Sequence, residues 1–202
     1  MEKFFDPHDL IVETRNKLPH WTQYGKFIFI TFRLADSMPR DIVNIAFKDL
    51  DEWKNDPNNA HNNKELEKWY MERCRRMEKF LDAGHGSCIL CDNVCRDIVT
   101  DSIFFHDNNN IIVHSFVIMP NHIHILMELL NDSTIQYVIR SIKMNTTKEI
   151  NKYMNRTGTL WQREYFDRII RNQQHYEKTM AYIKNNPTHC PPGTFTYYNR
   201  WE

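Results

Sequence analysis

The stretch Val117 to Leu130, VIMPNHIHILMELL, constrains the fold more than any other part of the chain. The run that leads into it, Ile111 to Met119 (IIVHSFVIM), is β-branched and aromatic, and Pro120-Asn121 is a turn pair between two such runs. This predicts a β-hairpin. Side chains alternate between the faces of a strand, so His122 and His124 project to one side while Ile123 and Ile125 go to the other. Two neutral imidazoles on one face, joined by a third ligand from elsewhere, make a divalent-metal site. Plain packing in a half-polar strand is the other reading of the pair.

Upstream, residues 1 to 22 are polar and irregular and are expected to form a leading arm. Lys26 to Leu34 (KFIFITFRL) is expected to be a strand. Phe27, Phe29, Thr31 and Arg33 fall on one of its faces and Ile28, Ile30, Phe32 and Leu34 on the other, so it should lie centrally in a sheet. Helices are expected over Asp41–Trp53 and Lys64–Leu81, with the polar loop DPNNAHNN between them and Gly84 as a C-terminal stop. The spacing Cys88-x2-Cys91-x3-Cys95, with His85 upstream, is compatible with zinc, but structural zinc sites show two well-separated ligand pairs. The plainer reading makes these cysteines small core residues leading into a helix from Asn93 to Phe105. Five cysteines, an odd number, argue for free thiols. MEKFFDPHDL lacks a signal-peptide layout, and no apolar run reaches the ~18 residues of a membrane span. A cytoplasmic protein without a membrane partner is the expectation.

Downstream, Ser133 is expected to cap a helix running to about Met154, with Ile135, Val138, Ile139, Ile142 and Ile150 as its buried stripe. Leu160 to Asn172, LWQREYFDRIIRN, reads as an aromatic and basic connector. A last helix from about Gln173 to Asn186 must stop near Pro187. Its apolar stripe is Tyr176, Met180 and Ile183, which leaves Tyr182 on a polar face with His175, Lys178, Thr179 and Asn186. Tyr182 and Asn186 are i, i+4 neighbours there. The tail, Thr188 to Glu202, is expected to lie over the surface.

The formal net charge is zero, with 26 Lys and Arg against 26 Asp and Glu. Between Val138 and Lys184, however, ten basic residues face four acids. Such a surplus suits a polyanion partner, and it also suits a set of solvated helix faces. Arg140, Lys143, Arg163, Arg168, Arg171 and Lys178 are the candidate phosphate contacts. Trp161, with Tyr165 and Phe166, is the candidate surface for stacking unpaired bases. A core position is the competing reading for Trp161 and Phe166.

FVIMPNHIHIL, then LWQREYFDRIIRN, then YIKNNP, resemble the REP-associated tyrosine transposases, single-tyrosine members of the HUH nuclease superfamily. LPHW, FITFRLADSMP and DAGHGSC are similar to one branch of that family, so the likeness spans about Leu18 to Pro187. The resemblance implies a single α+β domain over 1–202 with a helical insertion at about 41–92: a ferredoxin-like antiparallel sheet with helices on one face. It implies His122 and His124 as ligands of Mg²⁺ or Mn²⁺, Asn186 as the third ligand, and Tyr182 as the nucleophile. The implied activity is that of a nuclease and strand transferase on single-stranded or hairpin DNA, working as a monomer or homodimer. NNPTHCPPGTF departs from the small apolar run more usual after the Asn-Pro pair. Two alternatives come from other classes: a DNA-hairpin binding protein that does not cut, and a metal phosphoesterase that uses water, with Tyr182 a bystander.

Overall fold

The computed structural model describes residues 3–10, 12–15, 19–39, 72, 75–130 and 133–202. The chain divides into two compact units, one built from Met1–Ala35 and Ile89–Glu202, the other from Asp36–Cys88.

The first unit contains strands β1 (Val12–Arg15), β2 (Pro19–Thr22), β3 (Phe27–Arg33), β4 (Ile111–Ile118), β5 (His122–Leu129), β6 (Phe166–Ile169) and β7 (Thr196–Asn199). Its helices are α1 (Asn93–Phe104), α2 (Ile135–Tyr153) and α3 (Gln173–Asn185). β1 and β2 pair with each other, and the remaining strands form one sheet in the order β6-β3-β5-β4-β7. Every neighbouring pair in that sheet is antiparallel. The run β3-α1-β4-β5-α2-β6 is the split βαβ, ferredoxin-like arrangement, with β7 added beyond β4. β4 and β5 are the expected hairpin, closed by Met119 N–H donating to the His122 carbonyl at 2.8 Å.

β3 lies between β6 and β5 because both of its faces have something to bury. Ile28, Ile30, Phe32 and Leu34 join Phe116, Ile123 and Ile125 and the α1 and α2 residues Val99, Ile103, Val138, Ile139 and Ile142 in the larger apolar cluster. Phe27 and Phe29 join Val117, Leu126 and Ile183 in a smaller cluster on the opposite face, under α3. The expectation of helices on one face therefore holds for α1 and α2, while α3, with Phe4, Phe195 and Tyr197, packs on the other side.

Four local readings need correction. The leading arm is not irregular throughout: it holds β1 and β2, and Phe27 N–H donates to the Lys3 carbonyl at 2.8 Å. The cap of α2 is Thr134, which accepts from Tyr137 N–H, while Ser133 Oγ accepts from Asn110 Nδ2 at 2.9 Å. The basic connector contains β6, an edge strand whose alternation of half-buried and buried residues is blurred by its charged members. The tail supplies β7, paired with β4 from Ser115 to Ile118. Among the cysteines, Cys95 is fully buried, as the plainer reading had it, but Cys91 is exposed.

In the second unit, residues 75–82 are helical and Gly84 ends the helix at φ +69°. The expected helix Asp41–Trp53, the polar loop Asp56 to Asn63 and the start of the helix Lys64–Leu81 lie outside the described residues. Gly86 has φ +92°, and a Cβ there would stand 2.5 Å from the Asp36 carbonyl oxygen, so only glycine fits. The second unit ends at Cys88, so residues 89–92 of the insertion expected at about 41–92 group with the sheet.

Candidate active site

The strand alternation that aims His122 and His124 at one face of β5 places them under α3, their ring centroids 4.7 Å apart. Both are essentially fully buried. Burial pushes His122 down to about 3 and holds His124 well below its ordinary value, with His122 adding a smaller push in the same direction. Both rings are therefore neutral at pH 7, the form that carries a lone pair for a ligand.

Each ring is oriented through Nδ1. Asn121 Oδ1 accepts from His122 Nδ1 at 2.7 Å, which leaves His122 Nε2 as the lone-pair nitrogen, buried without a hydrogen-bond partner. Thr31 Oγ1, directly across on β3, lies 2.7 Å from His124 Nδ1. With Nδ1 donating to Thr31, His124 Nε2 accepts from the Tyr182 hydroxyl at 3.2 Å. Phe29 stacks on His124 at 5.4 Å and meets Tyr182 edge-on at 6.0 Å, fixing both rings from one side.

Tyr182 arrives here because Ile183 anchors α3 on the sheet and the adjacent position then faces the histidines. Asn186 caps α3, its backbone N–H donating to the Tyr182 carbonyl, so one helical turn ties the two residues together. Asn186 Oδ1 is buried with no hydrogen-bond partner. His122 Nε2 and Asn186 Oδ1 are buried acceptors without a hydrogen-bond partner, and neutral imidazole nitrogen and amide oxygen are donor types that suit a divalent cation. The hydrogen bonds at both Nδ1 atoms are the outer-shell support that such imidazole ligands usually have. Thr31→Val is accordingly expected to weaken divalent-metal affinity about 10- to 100-fold, measurable by calorimetric titration with Mn²⁺. An unchanged affinity would remove Thr31 from this role.

The polyanion candidates separate. Arg140, Arg163, Arg171 and Lys178 are exposed, and Arg168 is half-buried on β6 opposite Phe29, on the site's face. Lys143 is different: its ammonium donates to the carbonyls of Gln162, Arg163 and Glu164 at 2.9, 3.2 and 3.4 Å, and burial pushes it down to about 8. It holds the connector in place. Trp161 is 4% exposed, edge-on to Phe32, with Nε1 donating to Thr146 Oγ1 at 2.8 Å. A ring so enclosed has no face for a base; Tyr165 is buried as well, and Phe166 is half-buried, packed on the smaller cluster. Thr31, Asn121 and Phe29 were missed from the sequence, where only the strand pairing could have drawn them to the histidines.

Residues 93–186 match the family model described as IS200-like transposases, a range that takes in His122, His124, Tyr182 and Asn186. The transposase likeness carried by the motifs is thus found independently over that segment. An uncharacterized protein of Haemophilus influenzae is 29% identical over 97 aligned positions, taking in 37% of this chain and 53% of that protein. The chain thus spans about half the length of that curated relative. A solved structure described as the REP-associated tyrosine transposase bound to a REP hairpin is similar with a TM-score of 0.49 and 14% identity, over 87% of this chain and 74% of that one. Among the described residues no helix is long and apolar enough to cross a membrane.

Proposed function

We propose that this protein cuts and rejoins single-stranded DNA beside palindromic hairpins, with Tyr182 as the nucleophile and Mg²⁺ or Mn²⁺ held by His122, His124 and Asn186. One observation carries the reading: the Tyr182 hydroxyl stands 3.2 Å from His124 Nε2, beside a second histidine, inside a segment that matches a transposase family. A tyrosine with only a packing role has no need of such company.

When bound, the cation would lend positive charge to the phosphate that is attacked. Neutral ligands leave that charge undiminished, which carboxylates would not. Tyr182 Oη forms a bond to phosphorus as the bond from phosphorus to the 3′ oxygen breaks. The phenol proton goes, in net balance, to the departing 3′-hydroxyl, and the products are a 5′-phosphotyrosine and a free 3′ end. One phosphodiester replaces another, so the step is nearly neutral in energy and can run backwards onto a different strand. Phe29 and the α3 turn hold the phenol in place, while exposed Arg140, Arg163, Arg171 and Lys178 offer charge to the flanking backbone.

The test is incubation with hairpin-bearing single-stranded oligonucleotides and Mg²⁺ or Mn²⁺, followed by denaturing electrophoresis. A protein–DNA band that survives denaturation is the expected result. Cleavage without that band would mean that water is the nucleophile, and binding without cleavage would mean a hairpin-binding protein.

A further inference from the structure

On the α3 side of the sheet, away from the paired imidazoles, lies a buried cluster that the proposed reaction does not use. β4 shifts register between Val113 and Ser115, and this bulge takes His114 out of the pairing with β5. The His114 ring is 4% exposed, edge-on to Phe27 at 4.8 Å and to Tyr176 of α3 at 6.2 Å, with Trp201 at 6.4 Å. Neither of its nitrogens has a hydrogen-bond partner. Glu128 on β5 is buried too, and its Oε2 lies 3.7 Å from His114 Nε2. The same oxygen accepts from Lys3 Nζ at 2.7 Å. Lys3 belongs to the leading arm, which docks through the Phe27 N–H to Lys3 carbonyl bond at 2.8 Å and the Phe5 N–H to Ile170 carbonyl bond at 2.9 Å. Between these bonds Phe4 packs into the smaller cluster, the one that also holds Ile183 of α3.

Burial, opposed by Glu128 and reinforced by Lys3 and Arg200, holds His114 below its ordinary value, so the ring is neutral at pH 7. Arg200 is itself paired with Asp107, and burial raises the Tyr176 phenol, which stays neutral. A neutral ring leaves the carboxylate to Lys3, whereas an imidazolium competes for it. We propose that Glu128 is a shared acceptor: at neutral pH it holds the arm through Lys3, and on acidification the protonated His114 takes the same oxygen and frees the arm. The proton comes from solvent and no covalent bond changes. Because the docked Lys3 makes the ring harder to protonate, a proton on the ring weakens the docking of Lys3 by the same factor. The docked arm is therefore favoured above the ordinary histidine value of about 6.5 and loosens as pH falls below it.

The test uses no DNA and so stands apart from the strand-transfer reading. NMR of the full chain follows the His114 ring and the exchange protection of the Phe5 amide from about pH 7.5 to about pH 5, a range that brackets histidine titration. Corrected for intrinsic exchange, Phe5 protection is expected to fall about 5-fold or more on acidification. Lys3→Met should move the His114 titration to higher pH, and Glu128→Gln should move it lower. In His114→Phe the fall in Phe5 protection should be absent. The same His114 titration in the unaltered protein and in Lys3→Met would overturn the proposal, and this comparison decides the matter even if His114→Phe does not fold. A fall in protection of unchanged size in His114→Phe would overturn it as well, because it would place the trigger on His8 or another group of the arm.

Discussion

Tyr182→Phe is expected to abolish the covalent protein–DNA band while leaving the fold and the binding of DNA intact. Enzymes that lose a covalent nucleophile lose rate on the order of 10⁴-fold or more, so the band should vanish from any practical time course. The ring keeps its contacts with Phe29 and His124, and the stability lost with one hydroxyl hydrogen bond is about 1 kcal/mol. The same variant should bind Mn²⁺ at least as well as the unaltered protein, because the removed hydroxyl is what occupies His124 Nε2. Adduct formation by the Phe variant would refute the assignment of Tyr182, and denaturing electrophoresis of a radiolabelled oligonucleotide reads this directly.

The second large effect is expected at the histidines. His122→Ala removes a nitrogen that is buried, neutral and without a partner, and with it one of three candidate ligands. Loss of an outer-shell residue alone weakens metal sites 10- to 100-fold, so loss of the ligand itself should cost more than about 100-fold in Mn²⁺ affinity and take cleavage with it. Chelation of the unaltered protein should have the same effect, reversed by adding the ion back. Cleavage that persists undiminished in excess chelator would end the case for a metal.

What could be read from residues alone follows the range of the physics involved. The alternation that brings His122 and His124 together acts over two residues, and it shows in the sequence at once. The turn that links Tyr182 to Asn186 acts over four. The meeting of Tyr182 with His124 spans 58 positions, and no local period reports it; the family motifs pointed there. Thr31 lies 93 positions from His124 and stayed hidden, because only the strand register reveals it. Edge strands fared worst: β6 sits among arginines and aromatics, and β7 follows a proline-rich segment, so neither shows a clean alternation. Trp161 and Lys143 have the composition of a nucleic-acid surface, yet Trp161 is buried and the half-buried Lys143 is engaged with the connector's carbonyls. Thr134 and Ser133 are adjacent hydroxyl residues of similar capping strength, and the choice between them depends on where Asn110 lies.

The two sides of the sheet are filled unequally, and this separates durability from access. The α1 and α2 side holds the larger apolar cluster, while α3 rests on the smaller one. Elements that bury the least apolar surface are the ones local opening draws on, so a shift of α3 would disturb the smaller cluster and leave the larger one packed. Such a shift would carry Tyr182 and Asn186 together, because one helical turn joins them.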